Sequence, residues 1–317
     1  MRQRLVALMT AFAATVALST PAHSWDDLGH MTVAYLAYQQ LTPATRTRVK
    51  ALLKLNPYYK RKWTGMVPKG TSARHRDQAI FMIAATWPDQ IKSDQTYHSD
   101  GSDNGNRPPN DATAKQNIGY TDRARHKYWH FIDTPFSQDA TTLPPIPDAN
   151  AEERIGLFRT VLGANEKDTL KSYDLSWLLH LVGDVHQPLH CATRVSATQP
   201  QGDAGGNKVT LTCCGQELHA FWDDVLGTSK TVSSAITVAK TLPAPDATLA
   251  AKSDATDWVA ESFDAAKETA YEAPPIGPGD GPFQLTASYK TAAKKVAQER
   301  VALAGARLAN LLNMELK

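Results

Sequence analysis

The chain has 317 residues, of which 42% are apolar, and its 34 lysines and arginines nearly balance 32 acidic residues. That composition excludes a disordered polyelectrolyte and a protein that grips nucleic acid through a broad basic surface. A polyanionic partner would have to be attracted by something other than bulk cationic charge.

The first 24 residues, MRQRLVALMTAFAATVALSTPAHS, carry Arg2 and Arg4, an apolar run from Leu5 to Leu18, then small Ala22 and Ser24. This is the pattern of a cleaved secretory signal, predicting a protein that is secreted or periplasmic and a single mature domain over 25–317. Loss of Arg2 and Arg4 brings the cations level with the 32 acidic residues. No later run reaches the roughly 18 uninterrupted apolar residues of a membrane span, so no membrane anchor is expected. The mature chain is read as a monomer. Cys191, Cys213 and Cys214, in an oxidising compartment, favour one disulfide joining Cys191 to Cys213 or Cys214, with one thiol left over.

Helical punctuation follows. A helix is predicted from Trp25 to Leu41, and Thr42 caps a second, with Pro43 at its first position and RTRVKALLKL behind it. Similar signals predict helices over 72–86, 151–162, 173–187, 218–226 and 288–314. β alternation shows only around Lys208 to Thr212, where a short hairpin is expected. The fold class is therefore all-α, one compact multi-helix domain with a short β-hairpin. Polar stretches rich in glycine and proline over 99–116, 134–150, 196–206 and 273–282 read as loops long enough to face a substrate.

The chemistry lies within and beside these helices. HLVGDVHQPLH, residues 180–190, places three histidines and an aspartate in what otherwise reads as a buried helix, where such groups are costly without partners. At about 100° per residue, His180 and Asp184 fall about 40° apart on one face, whereas His186 points elsewhere. ELHAFWDD repeats the spacing with His219 and Asp223, and an i, i+4 His/Asp pair aims two zinc-compatible atoms at one point. One such pair is commonly a cap or a surface contact; two pairs with His190 exceed what a core needs. His30 in WDDLGH, Asp89 in ATWPDQIK, and His130 with Asp133 in KYWHFIDTP add candidates among aromatic and apolar neighbours. Cleavage before Trp25 would free an α-amine near His30, and an amine of pKa about 7.7 to 8.0 yields its proton to a metal more readily than lysine does. His75, His98 and His126 lack such placement, His23 leaves with the leader, and His186 is assigned to structural support.

In content and order, WDDLGH, WPDQIK, WHFIDTP, HLVGDVHQPLH, GGN and LHAFWD resemble the secreted zinc-dependent nucleases that hydrolyse single-stranded nucleic acid and 3′-nucleotides, relatives of the three-zinc phospholipases C. The resemblance runs from Trp25 to about Asp223. It implies three Zn²⁺ ions. One would be held by Asp89, His130, His180 and Asp184, and a second by the amine and carbonyl of Trp25, His30 and a bridging Asp184. A third, more exposed, would take His190, His219 and Asp223. The resemblance also implies that Asp133 orients the attacking water and that Lys92 steadies charge on the phosphoryl oxygens. Phe131 would stack a base, Asn207 would bond a base edge, and Gly205 would allow close approach.

The expected partners are single-stranded DNA, RNA and 3′-nucleotides. Three Zn²⁺ against three liganding aspartates leave about +3 locally, which removes the need for a basic surface. A three-zinc phospholipase C is the alternative enzyme; those proteins resemble this layout but place glutamate where Asp223 stands and have no counterpart of FID and GGN. A zinc store is the non-catalytic alternative, and it would require neither Asp133 nor Lys92.

Overall fold

Side-chain caps and proline start the helices close to where the sequence places them. A computed structural model describes residues 25–212 and 216–317; the leader and its expected cleavage lie outside these. The Asp26 carboxylate accepts from Asp27 N ahead of α1 (Asp27–Gln40). The Thr42 hydroxyl accepts from Thr45 N ahead of α2 (Pro43–Leu53), with proline at the first position as expected. Next come α3 (Thr64–Met66), α4 (Ala73–Ala84), α5 (Trp87–Lys92) and α6 (Ala151–Gly163). At the start of α6, Asn150 accepts from Glu153 N while the Glu153 carboxylate accepts from Ala149 N, a reciprocal cap. The chain continues through α7 (Asp168–Asp184), α8 (Leu218–Asp223), α9 (Val232–Ala239), α10 (Ala247–Ala250), α11 (Ala255–Ala265) and α12 (Ala287–Glu315).

α7 is buried on every side from Lys171 to Asp184, which makes it the central rod of the all-α domain. α1, α2, α5, α6 and α12 pack against it. All seven tryptophans are buried. Three of them lock the site-bearing segments to the rod: Trp177 on α7 meets Trp87 at 5.9 Å and Trp129 at 5.0 Å, both edge to face. Packing Trp87 and Trp129 onto one helix brings their neighbours Asp89 and His130 to the same end of it.

Two expectations need correction. The helix expected over 173–187 begins earlier, at Asp168, and stops at Asp184. Pro188 cannot donate to a continuing helix, so Pro188–His190 forms a 3₁₀ turn that redirects His190. The hairpin at 208–212 is not a strand pair: Thr210 makes one antiparallel bridge to Glu217, and Leu211 one parallel bridge to Phe283. Among the described residues the regular strands are β1 (Pro135–Ser137) and β2 (Thr193–Val195), paired in parallel with Pro135 opposite Thr193. Five alternating residues are too few to hold a register against a distant partner. Cys191 is a buried free thiol that donates to Val185 O at 3.4 Å, its pKa pushed up to about 12 by burial. Cys213 and Cys214, its expected disulfide partners, lie outside the described residues. No helix of the described residues is long and apolar enough to cross a membrane.

Candidate metal centre

α7 presents His180 and Asp184 one turn apart, both fully buried. α1 lays His30 against them, its ring stacked on that of His180 at 3.7 Å. The approach depends on Gly183, where a Cβ would stand 2.8 Å from His30 Nδ1. His30 Nε2 thereby comes to 3.4 Å from Asp184 Oδ1. The 3₁₀ turn Lys127–His130 brings His130 Nδ1 to 3.1 Å from Asp184 Oδ2 and 3.0 Å from His180 Nε2. α5 adds Asp89, whose Oδ1 is 3.6 Å from His180 Nε2 and 4.0 Å from His130 Nδ1.

Beside this group, the redirected His190 meets α8. His190 Nε2 lies 3.2 Å from His219 Nε2 and 3.9 Å from Asp223 Oδ1, and His219 Nε2 lies 3.5 Å from Asp223 Oδ2. Asp26 N donates to Asp223 O at 3.4 Å, which draws the buried Trp25 to the same end of the molecule. Three sets result: His30, His180 and Asp184; Asp89, His130 and His180; His190, His219 and Asp223. In each, the potential ligand atoms lie within 4.8 Å of one another. Every side chain expected as a ligand is in one of them, and His180 belongs to both of the first two.

The donor chemistry fits divalent cations with nitrogen and oxygen preferences. His180, His190 and His219 each donate Nδ1–H to a backbone carbonyl, of Ala85 at 2.7 Å, His130 at 2.8 Å and Gly205 at 2.7 Å. That fixes the tautomer and leaves the Nε2 lone pair turned into the cluster. Burial lowers the pKa of His130 to about 4 and of His219 to about 3, and also depresses His180 and His190, so these rings are neutral near pH 7. Burial works to raise Asp89, but the Lys92 ammonium and the imidazoles around it hold the carboxyl well below its usual range. Asp184 is held low against burial by His180, His130 and His30, whereas burial pushes Asp223 up despite a hydrogen bond from Gln187. Among the described residues, Asp184 Oδ1, Asp223 Oδ2 and His130 Nε2 are buried without a hydrogen bond. Buried carboxylate oxygens facing imidazole lone pairs are costly on their own and are the donor set zinc takes.

The remaining expected residues surround this cluster. Lys92 Nζ pairs with Asp89 Oδ1 at 2.7 Å, the two side chains 9% and 10% exposed, so it stands beside the ligands and not on a solvated face. Phe131 is half-buried, and Ile132 N donates to His190 O at 2.8 Å, tying this segment to the redirected turn. Asp133 lies outside the three sets. Its pKa is raised to about 7 by burial and then by Asp203, with Arg107 and Lys208 opposing. In the 203–208 loop the Asn207 amide donates to Ala204 O at 2.6 Å, closing its own turn. Gly205 has φ +61, and a Cβ there would come within 2.4 Å of Leu189 O. Its carbonyl is the one that orients His219, so the GGN loop positions a ring that could hold a metal.

Sequence reasoning passed over two residues. Asp203 is buried beneath GGN, where its Oδ1 accepts from Arg194 N at 3.0 Å, Gly206 N at 3.1 Å and the Tyr271 hydroxyl at 3.0 Å. His126 starts the turn that ends at His130, in a left-handed conformation with φ 43. Its Nδ1 is 2.9 Å from Asp100 Oδ2 and its Nε2 2.8 Å from Asp122 Oδ2, and the ring stacks on Trp129 at 3.6 Å. The i, i+4 spacing of Asp122 and His126 was the available signal. His186 turns away from the cluster, donating to Val182 O and accepting from Arg307 Nη1 at 2.9 Å, the structural place expected of it.

A family model described as S1/P1 Nuclease matches residues 25–317. The chain is 31% identical over 316 residues to Endonuclease 3 of Arabidopsis thaliana, a match covering 89% of this chain and 87% of that protein. It is 24% identical over 247 residues to Nuclease S1 of Aspergillus oryzae (strain ATCC 42149 / RIB 40), covering 74% of this chain and 65% of that protein.

Proposed function

The chain belongs to the S1/P1 nuclease family and is a nuclease, and from that premise we propose that it is a three-zinc phosphodiesterase acting on single-stranded DNA, RNA and 3′-nucleotides. Cleavage of the P–O3′ bond would leave 5′-phosphate products. The observation that carries the reading is the convergence of three His/Asp sets around α7 and α8. The working protein is the domain over 25–317, secreted or periplasmic after loss of the leader, with the new amine of Trp25 completing the set that contains His30.

Zinc bound to these sets supplies Lewis acidity, lowering the pKa of water from about 15.7 toward about 7 and polarising phosphoryl oxygens. The Asp133 carboxylate accepts a hydrogen bond from the attacking water and aligns it with phosphorus. Lys92, tethered to Asp89 at 2.7 Å, donates from Nζ to a non-bridging oxygen as a fixed cation. Phe131 stacks the adjacent base, a contact worth about 1 to 3 kcal/mol that tolerates any sequence. Asn207 bonds a base edge after releasing Ala204 O, and Gly205 lets the strand come close to the backbone. Stacking requires an unpaired base, which accounts for a preference for single strands.

The test offers the zinc-loaded mature protein polyadenylate, duplex DNA, 3′-AMP and phosphatidylcholine, with and without chelator, and identifies products by mass. Chelation should abolish release of 5′-mononucleotides and zinc should restore it. Asp133→Asn should lower kcat by about 10²–10⁴-fold with zinc content held; a change confined to KM would instead assign Asp133 to base binding. Consumption of phosphatidylcholine alone would favour the phospholipase, and tight zinc with no hydrolysis of any ester would favour a metal store.

A further inference from the structure

Although the total charge is close to neutral, three cations gather at one edge of the site, none of them in a salt bridge among the described residues. Lys127 opens the turn that carries His130, and its Nζ donates to Asn104 O at 3.0 Å. Asn104 belongs to a tight turn closed by the bridge between Ser102 and Arg107. From the far end of that turn the exposed Arg107 reaches Gln201 Oε1 at 3.3 Å. Lys208 approaches the same loop from the other side, its Nζ 3.1 Å from Gln199 Oε1 and 3.0 Å from Gly202 O. The three run from the start of the His130 turn, across two loops, to the neighbour of Asn207. Two electrostatic links tie this arc to the reacting centre: Arg107 and Lys208 act on Asp133, and Lys92 acts on Lys127.

Some cations elsewhere are paired with carboxylates, Arg48 with Asp168, Lys50 with Asp77, Lys115 with Asp148 and Arg159 with Glu315, while others, such as Arg46 on the carbonyls of Tyr38 and Gln39, lie away from the site. In the arc the partners are carbonyl and amide oxygens. Neutral acceptors hold an ammonium or guanidinium in place without cancelling its charge, so the arc is a preorganised row of positive groups. A row of fixed cations leading away from a phosphodiester site matches the regularly spaced charge of a nucleic-acid backbone.

We propose that Lys127, Arg107 and Lys208 form a track for the phosphates flanking the scissile one, so that an oligonucleotide is preferred over a mononucleotide. The proposal rests on the nuclease reading above and adds where the rest of the strand lies. Being a backbone contact, the preference is independent of sequence and weakens with salt.

Arg107→Gln/Lys208→Gln changes two exposed side chains, and the readout is the kcat/KM ratio of a single-stranded decanucleotide to 3′-AMP across a salt series. The ratio should drop through KM. With about 0.7 logarithmic units of salt slope per phosphate contact on a single strand, the slope should flatten by about 1.4, and the parent's advantage over the variant should shrink about sevenfold between about 50 and 200 mM salt. Lys127→Gln should act in the same direction, and Arg107→Lys/Lys208→Arg should restore ratio and slope. A ratio and slope equal to the parent's, or an equal loss of kcat on both substrates, would overturn the track. Should the parent hydrolyse neither substrate, the nuclease reading fails by itself. Anisotropy of the labelled decanucleotide on zinc-loaded parent and variant then decides the track separately, and equal affinity and salt slope reject it.

Discussion

At His126 the imidazole lies between two carboxylates, 2.9 Å from Asp100 and 2.8 Å from Asp122, and its pKa is raised: burial opposes the charge, but both aspartates outweigh it. Four residues later His130 is as deeply buried, yet burial prevails and lowers it to about 4, with Lys92 adding to the effect. The difference lies in what meets the N–H groups. Each ring nitrogen of His126 faces a carboxylate oxygen, with the Tyr128 hydroxyl also on Asp100, so the protonated ring is fully paired. In the metal centre, His180, His190 and His219 direct Nδ1–H to carbonyls and turn lone pairs toward carboxylates. An arrangement that repels without a cation becomes a ligand set with one. Identical residue types at the same i, i+4 spacing thus make an ion pair in one place and, in the other, a set of donor atoms that could hold a metal.

The contrast breaks most sharply at Asp184, which serves His30, His130 and His180 together. Asp184→Asn should strip metal from both sets that share these rings and lower turnover by about 10³-fold or more, read by elemental analysis and kinetics. Full metal content would remove the coordination reading. His126→Gln should act on stability instead, because Asp100 and Asp122 are left without their cation. Breaking a buried pair costs about 3–5 kcal/mol, measurable by urea unfolding, while zinc bound per folded molecule should match the parent's. A cost below about 1 kcal/mol would mean that His126 is not charged.

The smallest effect is the most discriminating. In chelated protein, His130 and His219 titrate at about 4 and 3 when folded, against roughly 6.5 in an unfolded chain. The unfolded chain therefore binds more protons in that window, and stability falls as pH drops below about 6.5, by up to about 1.4 kcal/mol per unit for each ring. The raised His126 has the opposite sign: its stabilisation is complete below about 6.5 and is lost as pH rises through its folded value. Thermal unfolding against pH should show two falling arms. Zinc should raise stability and carry the acid arm to lower pH, because bound rings stay unprotonated while the unfolded chain still takes up protons, and His126→Gln should suppress the alkaline arm alone.

Much of the site was legible because its signals are local. The pairs His180/Asp184 and His219/Asp223 announce themselves by helical spacing, and α1, α2 and α6 by their caps. α9 and α11 escaped notice although Thr231 and Asp254 cap them, since helices of eight and eleven residues are marginal alone and depend on the core they cover. The 208–212 segment read as a hairpin because Phe283, its actual neighbour, is remote in sequence. Asp203 gave no signal at all, as its partners Arg194, Gly206 and Tyr271 are gathered from separate segments.

By itself the sequence determined the all-α class, most helix starts and which residue types would gather, because periodicity, caps and i, i+4 geometry are properties of adjacent residues. Only the tertiary structure decided which imidazoles present lone pairs and which carries charge, that His180 stands in two sets, and that Lys127, Arg107 and Lys208 share one edge. The reason is physical: a ring's role depends on whether a carbonyl or a carboxylate reaches its N–H, and Ala85, His130 O, Gly205, Asp100 and Asp122 arrive there from distant parts of the chain.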